Sequence, residues 1–421
     1  MSQKSGSSDM NEASLRRRFY LAVVHRGIRV IMRCYGFSVA LATLIGRHTR
    51  KPGSSGYVIL LTGTFYSDNW LSAHLKPLAR SRHCARLCVV SDTPIPPMEK
   101  IEAIYPSKWL TRLTGRVPAR LLTFLWVGLR ERPHIVGGFH LMFNGMIAVL
   151  LGKMIGARSL YFCVGGPQEL IGGGYATENR LFARLKTPDE HIERQLLNTV
   201  GKFDLVVTMG RNAINYFEKC GVKTTYCTVS GGIDGSRFYP PLVPPNIGVV
   251  LVARLTPVKR VDRYLEAISL AKKSLPNITA AIIGDGPLFD TLKEQAKQLG
   301  IEENVRFAGH QDQVENWLRQ AKLFVLTSET EGLALSMMEA MMCGVPAVVP
   351  DVGDLCELVE NGVNGYLIKS PTPELFAERI VEVLADENRW KELSRAAVLS
   401  ASRYELKATT RHWDDLLSRF Q

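Results

Sequence analysis

The feature that most constrains the fold of this 421-residue chain is a repeated alternation of short apolar runs with longer amphipathic segments. The runs are rich in Val, Ile, Leu and Phe, and Gly or Asp bounds many of them. Such runs are typical of parallel strands buried on both faces, with helices as the crossover connections. The sequence therefore predicts an α/β fold built from parallel sheets.

The alternation occurs in two series, one on each side of the proline-rich stretch FYPPLVPPN at 238–246. Its prolines cannot continue a helix or a central strand, and the chain is long enough for two domains. We predict two Rossmann-like domains that face each other across a cleft. The expected divisions are a disordered start, basic helix and linker at 1–56, a first domain at 57–240, a second domain at 241–400, and a C-terminal helix at 401–421 that is a candidate to return to the first domain.

Composition excludes several classes of protein. With 46% hydrophobic and 22% charged residues, the chain is neither disordered nor collagen-like. Its eight cysteines form no CxxC, so reduced thiols in the cytoplasm fit better than a disulfide scaffold. No uncharged apolar run reaches the roughly 18 residues expected of a membrane span, and no cleavable signal peptide is visible. We therefore expect a cytoplasmic protein.

Much of the net charge of +12 lies in the first 51 residues, which hold ten Lys and Arg but only Asp9 and Glu12. Helical spacing over 14–48 gives a stripe of four arginines opposite an apolar face: Arg18, Arg26, Arg29 and Arg33. This pattern predicts a helix lying in an anionic membrane interface. The longest uncharged run, thirteen residues from Cys34 to Gly46, is too short to span. The alternative is a helix packed against the first domain.

A second stretch, 108–130, also places cations beside large apolar side chains. Such a stretch suits a membrane surface. Alternatively, its cations face solvent and its apolar side chains pack into the core. Gly115 and Pro118 argue against one unbroken helix there. No recognised nucleic-acid-binding motif accompanies the positive charge, so nucleic acid is not an expected partner.

The most informative motif is SETEGLALSMMEAMMCGVPAVV at 328–349. Glu331 should lie in the turn before a helix, and Glu339 a little over one turn inside it. The free N–H groups of that helix N-terminus favour an anionic phosphate. The residues expected to line it are Gly332, Leu333, Ala334, Leu335 and Ser336. Alternatively, Glu331 is a surface residue and Glu339 an ordinary helix residue, and the two share no binding site.

Two further motifs precede it. VARLTPVKRVD at 252–262 places Arg254 and Lys259 at a strand-to-helix turn, where cations can hold phosphate oxygens, although a solvated basic turn is the alternative. IIGDGPLFDTL at 282–292 offers Gly284 and Gly286 for close backbone approach to a nucleotide. It is not a GxGxxG fingerprint, because Phe289 occupies the last glycine position.

Together with Gly344-Val345-Pro346, these motifs resemble in order and spacing the retaining GT-B glycosyltransferases of family 4 (glycosyl transferases group 1) over about 246–370. VSGGIDGSRF at 229–238 resembles the family's interdomain turn, with Gly231 in place of asparagine. The resemblance implies that Arg254 and Lys259 bind the donor diphosphate, Glu331 the transferred sugar and Glu339 the ribose. It also implies retention, a UDP- or GDP-sugar donor, and no obligatory cofactor or metal; the chain contains no Asp-x-Asp.

The resemblance is weaker in the first domain. The family's histidine, after a central strand and facing the donor sugar, falls near Gly165, where there is no imidazole. Glu169 or Gln168 is a candidate replacement, and His140 a candidate cleft residue or a structural histidine. The remaining candidates for this side of the cleft are glycines that allow close approach: Gly63, in a reduced form of the family's glycine-rich loop, and Gly166.

The sequence thus predicts a retaining hexosyltransferase, peripherally membrane-associated, that moves a sugar from a nucleotide-sugar to a saccharide or lipid-linked acceptor. One alternative is a nucleotide-sugar epimerase of the same fold, which needs no acceptor. Another is an inactive sugar-nucleotide-binding module, which the missing imidazole near Gly165 keeps open.

Overall fold

The structure, a computed structural model, describes residues 5–46, 56–65, 67–175 and 181–420, with side chains from residue 19 onward in the first stretch. Parts of three predicted features lie outside this description. They are residues 1–4 of the expected disordered start, the side chain of Arg18, and residues 51–55 of the expected linker.

The first sheet has seven parallel strands in the order β3-β2-β1-β4-β5-β6-β7. They are β1 (Tyr57–Thr62), β2 (Cys84–Val90), β3 (Ile101–Ile104), β4 (Ile135–Phe139), β5 (Arg158–Cys163), β6 (Leu205–Thr208) and β7 (Tyr226–Thr228). The helices up to this point in the chain are α1 (Ser5–Ile45), α2 (Asp68–Arg80), α3 (Lys108–Thr114), α4 (Arg116–Glu131), α5 (Met146–Ile155), α6 (Glu190–Val200) and α7 (Arg211–Lys219).

The second sheet has six parallel strands in the order β10-β9-β8-β11-β12-β13. They are β8 (Ile247–Val252), β9 (Ala280–Ile283), β10 (Val305–Gly309), β11 (Ala321–Val325), β12 (Ala347–Pro350) and β13 (Gly365–Ile368). The remaining helices are α8 (Val261–Lys272), α9 (Phe289–Gln298), α10 (Val314–Leu318), α11 (Leu335–Met342), α12 (Pro373–Ala385), α13 (Glu387–Ala401) and α14 (Leu406–Ser418).

The chain divides into two compact units, one around each sheet. The first domain comprises Met1–Phe65, Arg82–Thr228 and Leu417–Gln421, and the second comprises Tyr66–Ser81 and Val229–Leu416. Helix α2 therefore packs with the second domain although it follows β1 in the chain. The expectation of two Rossmann-like α/β domains with an N-terminal helix is confirmed.

Local details differ from the expected elements for identifiable reasons. The stretch 108–130 forms two helices because Gly115 between them has φ 87°, a left-handed conformation that suits glycine. Strand β3 was not predicted, since it has only four residues, Glu102 among them, and lies at the sheet edge. The pattern of residues 354–361 predicts a helix, but the structure has only a single turn there, Leu355–Glu357.

Helix α1 packs against α5 and α6 of the first domain. Ile28, Met32 and Val39 are buried in a core cluster with residues of β5, α5 and α6. At one end of this contact, the buried carboxylate of Asp189 accepts hydrogen bonds from His25 (2.6 Å) and from Arg29 Nε (3.0 Å). The inner face of α1 therefore packs against the first domain, as the alternative prediction stated. Arg29, one of the four arginines of the predicted basic stripe, faces the domain.

The outer face of α1 is apolar and exposed, with Phe19, Phe37 and Leu44 among its side chains. By length and composition alone, Phe19–Ile45 is long and apolar enough to cross a membrane, a test that core helices and signal sequences also pass. The sequence did not indicate a possible span here because only uncharged runs were considered. A helix that crosses a membrane can carry a charged residue near its end.

Asp189→Ala should loosen α1 selectively. The substitution removes the acceptor for His25 and Arg29 and also the N-cap of α6, where Asp189 accepts from the backbone of His191 and Ile192. Losing these bonds should cost about 2 kcal/mol or more. Hydrogen exchange of the α1 amides should accelerate at least tenfold.

The matched control is Asp386→Ala, which removes a similar two-bond cap from α13 at a cost of about 1 kcal/mol. It should leave exchange in α1 unchanged. Unaltered α1 exchange in Asp189→Ala would mean that apolar packing alone holds the helix.

Candidate functional site

The candidate residues of the second domain gather where the strand order of its sheet reverses. Successive strands run outward from β8 in one direction and from β11 in the other. Open α/β sheets bind ligands in the crevice at the carboxyl ends of such a strand pair. Arg254 follows β8, and the loop containing Glu331 follows β11. The sheet therefore brings together two segments that are far apart in sequence.

Lys259 and Glu331 form an ion pair across this point. Lys259 Nζ lies 2.7 Å from Glu331 Oε1, and the hydroxyl of Ser328 donates to the same oxygen at 2.6 Å. The Glu331 side chain is 8% exposed, so the pair is shielded from bulk water. Within the part of the chain that the structure describes, no hydrogen bond reaches Glu331 Oε2. This arrangement leaves a carboxylate oxygen for a ligand hydroxyl beside a cation suited to a phosphate.

The Gly-Asp-Gly turn after β9 packs directly against the segment that carries Arg254. A Cβ on Gly284 would lie 1.8 Å from the carbonyl oxygen of Ala253, and one on Gly286 would lie 2.5 Å from that of Leu255. Leu255 N also donates to Asp285 O at 2.9 Å. Only glycine permits this approach, and the two turns together shape the carboxyl edge of β8 and β9.

The loop from Glu331 to Ala334 leads into α11, whose first residue is Leu335. No side chain caps this N-terminus, so its free N–H groups can receive an anion. Gly353 supports the loop from behind, because a Cβ there would lie 1.9 Å from Glu331 O. The sequence analysis missed Gly353, which only its left-handed φ of 60° and close contact reveal.

Glu339, in the second turn of α11, occupies a different environment. It is 5% exposed and lines a cavity of about 10 Å³ with Asn69, Arg237 and Phe238, space for about one water molecule. Burial raises the pKa of its carboxyl group to about 8; Arg237 opposes the shift and Glu315 adds to it. No described residue donates a hydrogen bond to this carboxyl group, and the structure shows no contact between it and Glu331.

Arg237 and Glu315 were not predicted as site residues. Arg237 donates to both oxygens of Glu315, at 3.0 and 2.8 Å, and to Asn69 Oδ1 at 2.8 Å. The pairing with Glu315 raises the pKa of the guanidinium. Arg237 lies within the VSGGIDGSRF stretch, so the resemblance marked its segment, but its partners on α2 and α10 are distant in sequence.

In the first domain, Glu169 connects most of the predicted residues. Its Oε1 contacts His140 Nδ1 (3.0 Å) and accepts from Gly165 N (2.8 Å), while its Oε2 accepts from Leu141 N (2.9 Å) and the hydroxyl of Tyr161 (2.8 Å). Burial alone would raise the pKa of this carboxyl group, but the charge and hydrogen bond of His140 and the backbone donors lower it. The chain thus places a His–Glu pair beside Gly165.

His140 directly follows β4, and Gly63 directly follows the neighbouring β1. The order of the first sheet reverses between these two strands, so both residues lie at its ligand-binding crevice. His140 has φ 63°, which is strained for a side chain of this size, and its imidazole is 25% exposed. Gly166, with φ 67°, turns the chain so that Glu169 can reach back.

The described residues include no cluster of three or more His, Cys, Asp or Glu side chains arranged to hold a metal ion.

Comparisons with known proteins show similarity in sequence and in fold. Residues 241–399 match the family model for glycosyl transferases group 1. N-acetyl-alpha-D-glucosaminyl L-malate synthase of Bacillus anthracis is 32% identical over 151 residues, 35% of this chain and 39% of the relative. D-inositol 3-phosphate glycosyltransferase of Segniliparus rotundus is 28% identical over 254 residues, 55% of this chain and 56% of the relative. Both alignments thus cover less than two thirds of the relative's length.

Solved structures resemble a larger part of the chain. Anabaena Alr3699/HepE in complex with UDP-glucose matches with a TM-score of 0.67 and 19% identity, covering 86% of this chain and all of that one. The lipopolysaccharide outer core galactosyltransferase WaaB matches with a TM-score of 0.61 and 15% identity over 86% of this chain. The chain is therefore a two-domain protein of the GT-B fold. Its second domain is similar to glycosyl transferases group 1 over residues 241–399.

Glu339→Gln should change how stability depends on pH. The unfolded chain ionises this carboxyl near its ordinary pKa of 4.5, whereas the folded chain keeps the proton until about 8. Between these values the folded state binds more protons, so its stability falls as pH rises, by up to about 1.4 kcal/mol per unit. Glutamine does not ionise, so the variant lacks this loss of stability. The Tm of the variant minus the Tm of the wild type should therefore increase from pH 5 to pH 8.

The control is Glu374→Gln, an exposed glutamate in the first turn of α12, which should follow the wild type. A Tm difference for Glu339→Gln that does not change with pH would show that the folded state ionises Glu339 normally.

Proposed function

We propose that the protein is a retaining glycosyltransferase of the hexosyltransferase type. It moves a sugar from a UDP- or GDP-sugar to a saccharide or lipid-linked acceptor at the cytoplasmic surface of the membrane. The single observation that carries the proposal is the Lys259–Glu331 pair at the strand-order reversal of the second sheet.

The chemistry follows from charge placement. Arg254, Lys259 and the N-terminus of α11 bind the donor diphosphate and stabilise the negative charge that develops as it departs. Gly332, Leu333, Ala334 and Ser336 form the backbone around it, and Gly284 and Gly286 admit the nucleotide closely. Glu331 holds hydroxyls of the transferred sugar through its Oε2, and Glu339 holds the ribose.

In the first domain, the imidazole of His140, oriented by Glu169, takes the place of the family histidine missing at Gly165. Its Nδ1 contacts the carboxylate, which fixes the orientation of the ring. Gly63, Gly165 and Gly166 line the same crevice without side chains. In this proposal retention arises because the acceptor attacks in a single step from the side that the diphosphate leaves. The departing phosphate then accepts the proton of the acceptor hydroxyl.

The ligands and activities of similar proteins support a nucleotide-sugar donor. Alr3699/HepE was solved with UDP-glucose, and TarM of S. aureus with UDP and alpha-GlcNAc-glycerol. The relatives include a poly(glycerol-phosphate) alpha-glucosyltransferase of Bacillus subtilis. These favour UDP as the nucleotide and a polymer or glycolipid precursor as the acceptor.

A thermal-shift panel of UDP-, GDP- and ADP-sugars tests the donor. A shift with one nucleotide class supports the proposal, and no shift with any of them contradicts it. Incubation with the stabilising donor alone then separates the rivals. An epimerised sugar would identify an epimerase, and a bound donor that is never consumed with any acceptor fraction would identify an inactive binding module.

Arg254→Ala and Lys259→Ala should each cost about 2–4 kcal/mol of transition-state stabilisation, as removal of a preorganised charge contact commonly does. The measurement is kcat/KM for donor turnover, including slow hydrolysis when no acceptor is present. Lys322→Ala is the matched control, because Lys322 is also a half-buried, ion-paired lysine but lies at the amino end of β11. Normal turnover in Lys259→Ala would place the diphosphate elsewhere.

Calorimetry with the bare nucleoside diphosphate should separate the two glutamates. Glu339→Ala should weaken its binding, because Glu339 is assigned to the ribose. Glu331→Ala should leave this binding intact and impair only binding or transfer of the sugar. Equal losses in both variants would refute the division of roles.

A further inference from the structure

Two parts of the first domain expose large apolar side chains to solvent. On α1, Phe37 and Leu44 are 72% and 85% exposed, and on α3 and α4, Trp109 and Trp126 are 70% and 58% exposed. Exposed side chains of this size, repeated along neighbouring elements, mark interaction surfaces rather than ordinary protein surface. The question is whether they form one surface or two.

Helix α5 lies between the two and joins them. Its Met146 and Val149 share a core cluster with Ile28, Met32 and Val39 of α1, and Tyr35 of α1 donates to Met146 O at 2.9 Å. Its Ala148 and Leu151 share a different cluster with Phe124 and Val127 of α4. Ala148 and Leu151 each lie two residues after Met146 and Val149, which is about 200° around the helix. Helices α1 and α4 therefore flank opposite sides of α5.

Helix α5 is therefore flanked by α1 on one side and by α4 on the other, and both neighbours expose large apolar side chains. The contact between α4 and α5 is close, because a Cβ on Gly128 would lie 2.2 Å from Leu151 Cδ2. We name the outward faces of α1, α3 and α4 the outer helical surface.

The charge of this surface is almost entirely positive. Residues 19–46 and 105–132 contain a single acidic residue, Glu131, against nine basic ones: Arg26, Arg29, Arg33, Lys108, Arg112, Arg116, Arg120, Arg130 and Arg132. Arg29 and Arg120 turn inward, to Asp189 and Asp92 respectively. The others are exposed, and Arg130 stacks over Trp126 at 5.2 Å. Tryptophan beside lysine and arginine is the composition that the interface of an anionic bilayer favours.

The inner contacts of α1 argue against a span. If α1 crossed a bilayer, Ile28, Met32 and Val39 would leave the core of the first domain. Asp189, whose side chain is fully buried, would lose both His25 and Arg29. A helix held on one face and apolar on the other can instead lie in the interface while it remains docked.

We infer that the outer helical surface is one monotopic docking site for an anionic lipid bilayer, in which α3 and α4 insert beside a docked α1. The inference rests on the peripheral membrane location in the proposed function, and it adds the second contact and the orientation. The face of the first domain that carries α1, α3 and α4 then points toward the bilayer.

Co-sedimentation of the full-length protein tests this with vesicles of phosphatidylcholine, alone or mixed with phosphatidylglycerol. The wild type should bind the mixed vesicles and be released by high salt or alkaline carbonate. Trp109→Ala/Trp126→Ala and Phe37→Ala/Leu44→Ala should each bind at least tenfold more weakly. Leu399→Ala, which removes an exposed leucine from the second domain, is the control and should bind normally.

Three outcomes would overturn the inference. Normal binding by Trp109→Ala/Trp126→Ala would leave α1 as the sole anchor. Resistance to carbonate would show that α1 spans. Equal binding to both vesicle types, with Lys108→Glu/Arg112→Glu unaffected, would remove the electrostatic basis and favour a protein partner for this surface.

Donor binding is read separately by thermal shift with UDP-sugars and should be unchanged in all these variants. A protein that binds vesicles but no donor would refute the proposed function alone. One that binds donor but no vesicles would refute the docking surface and the membrane location, and would leave the proposed sugar transfer standing.

Discussion

Every strand in both sheets is parallel, and this one constraint determines where chemistry can be placed. Parallel strands end at the same edge, so the loops that follow β1, β4 and β5 meet in one domain, and those that follow β8, β9 and β11 meet in the other. Residues such as Lys259 and Glu331, 72 positions apart, thereby become neighbours. The glycines at these ends keep the edge open, because side chains there would collide with adjacent turns.

The two domains treat a buried glutamate in opposite ways. Glu169 receives four donors, two on each oxygen, and remains a carboxylate that orients a histidine. Glu339 is equally buried, but no described residue donates to it, and it retains a proton near neutral pH. A fully satisfied carboxylate stabilises its surroundings, whereas an unsatisfied one keeps its hydrogen-bonding capacity for a ligand. The same side chain is thus fully hydrogen-bonded in the first domain and without a described donor in the second.

The sequence predicted those features that depend on local pattern. Apolar runs identified most strands, and the eight-residue spacing correctly placed Glu331 before α11 and Glu339 within it. Long-range features were not accessible. The packing of α2 with the second domain, the pairing of Arg237 with Glu315, and the network around Glu169 all join segments whose proximity depends on the complete fold. The glycine at position 165 suggested a missing imidazole, and only the structure showed that His140 reaches the same neighbourhood.

The docking of α1 has a consequence for biosynthesis. During translation, α1 leaves the ribosome before any of its partners exist, and Asp189 follows Arg29 by 160 residues. At about 5–20 residues per second, this leaves an apolar, cationic helix without its binding site for roughly 8–30 s. In that interval a nearby bilayer offers a surface that suits its apolar and cationic side chains. Under the proposed membrane location, contact with lipid precedes folding of the first domain, which then assembles its core beneath a helix already at the lipid surface.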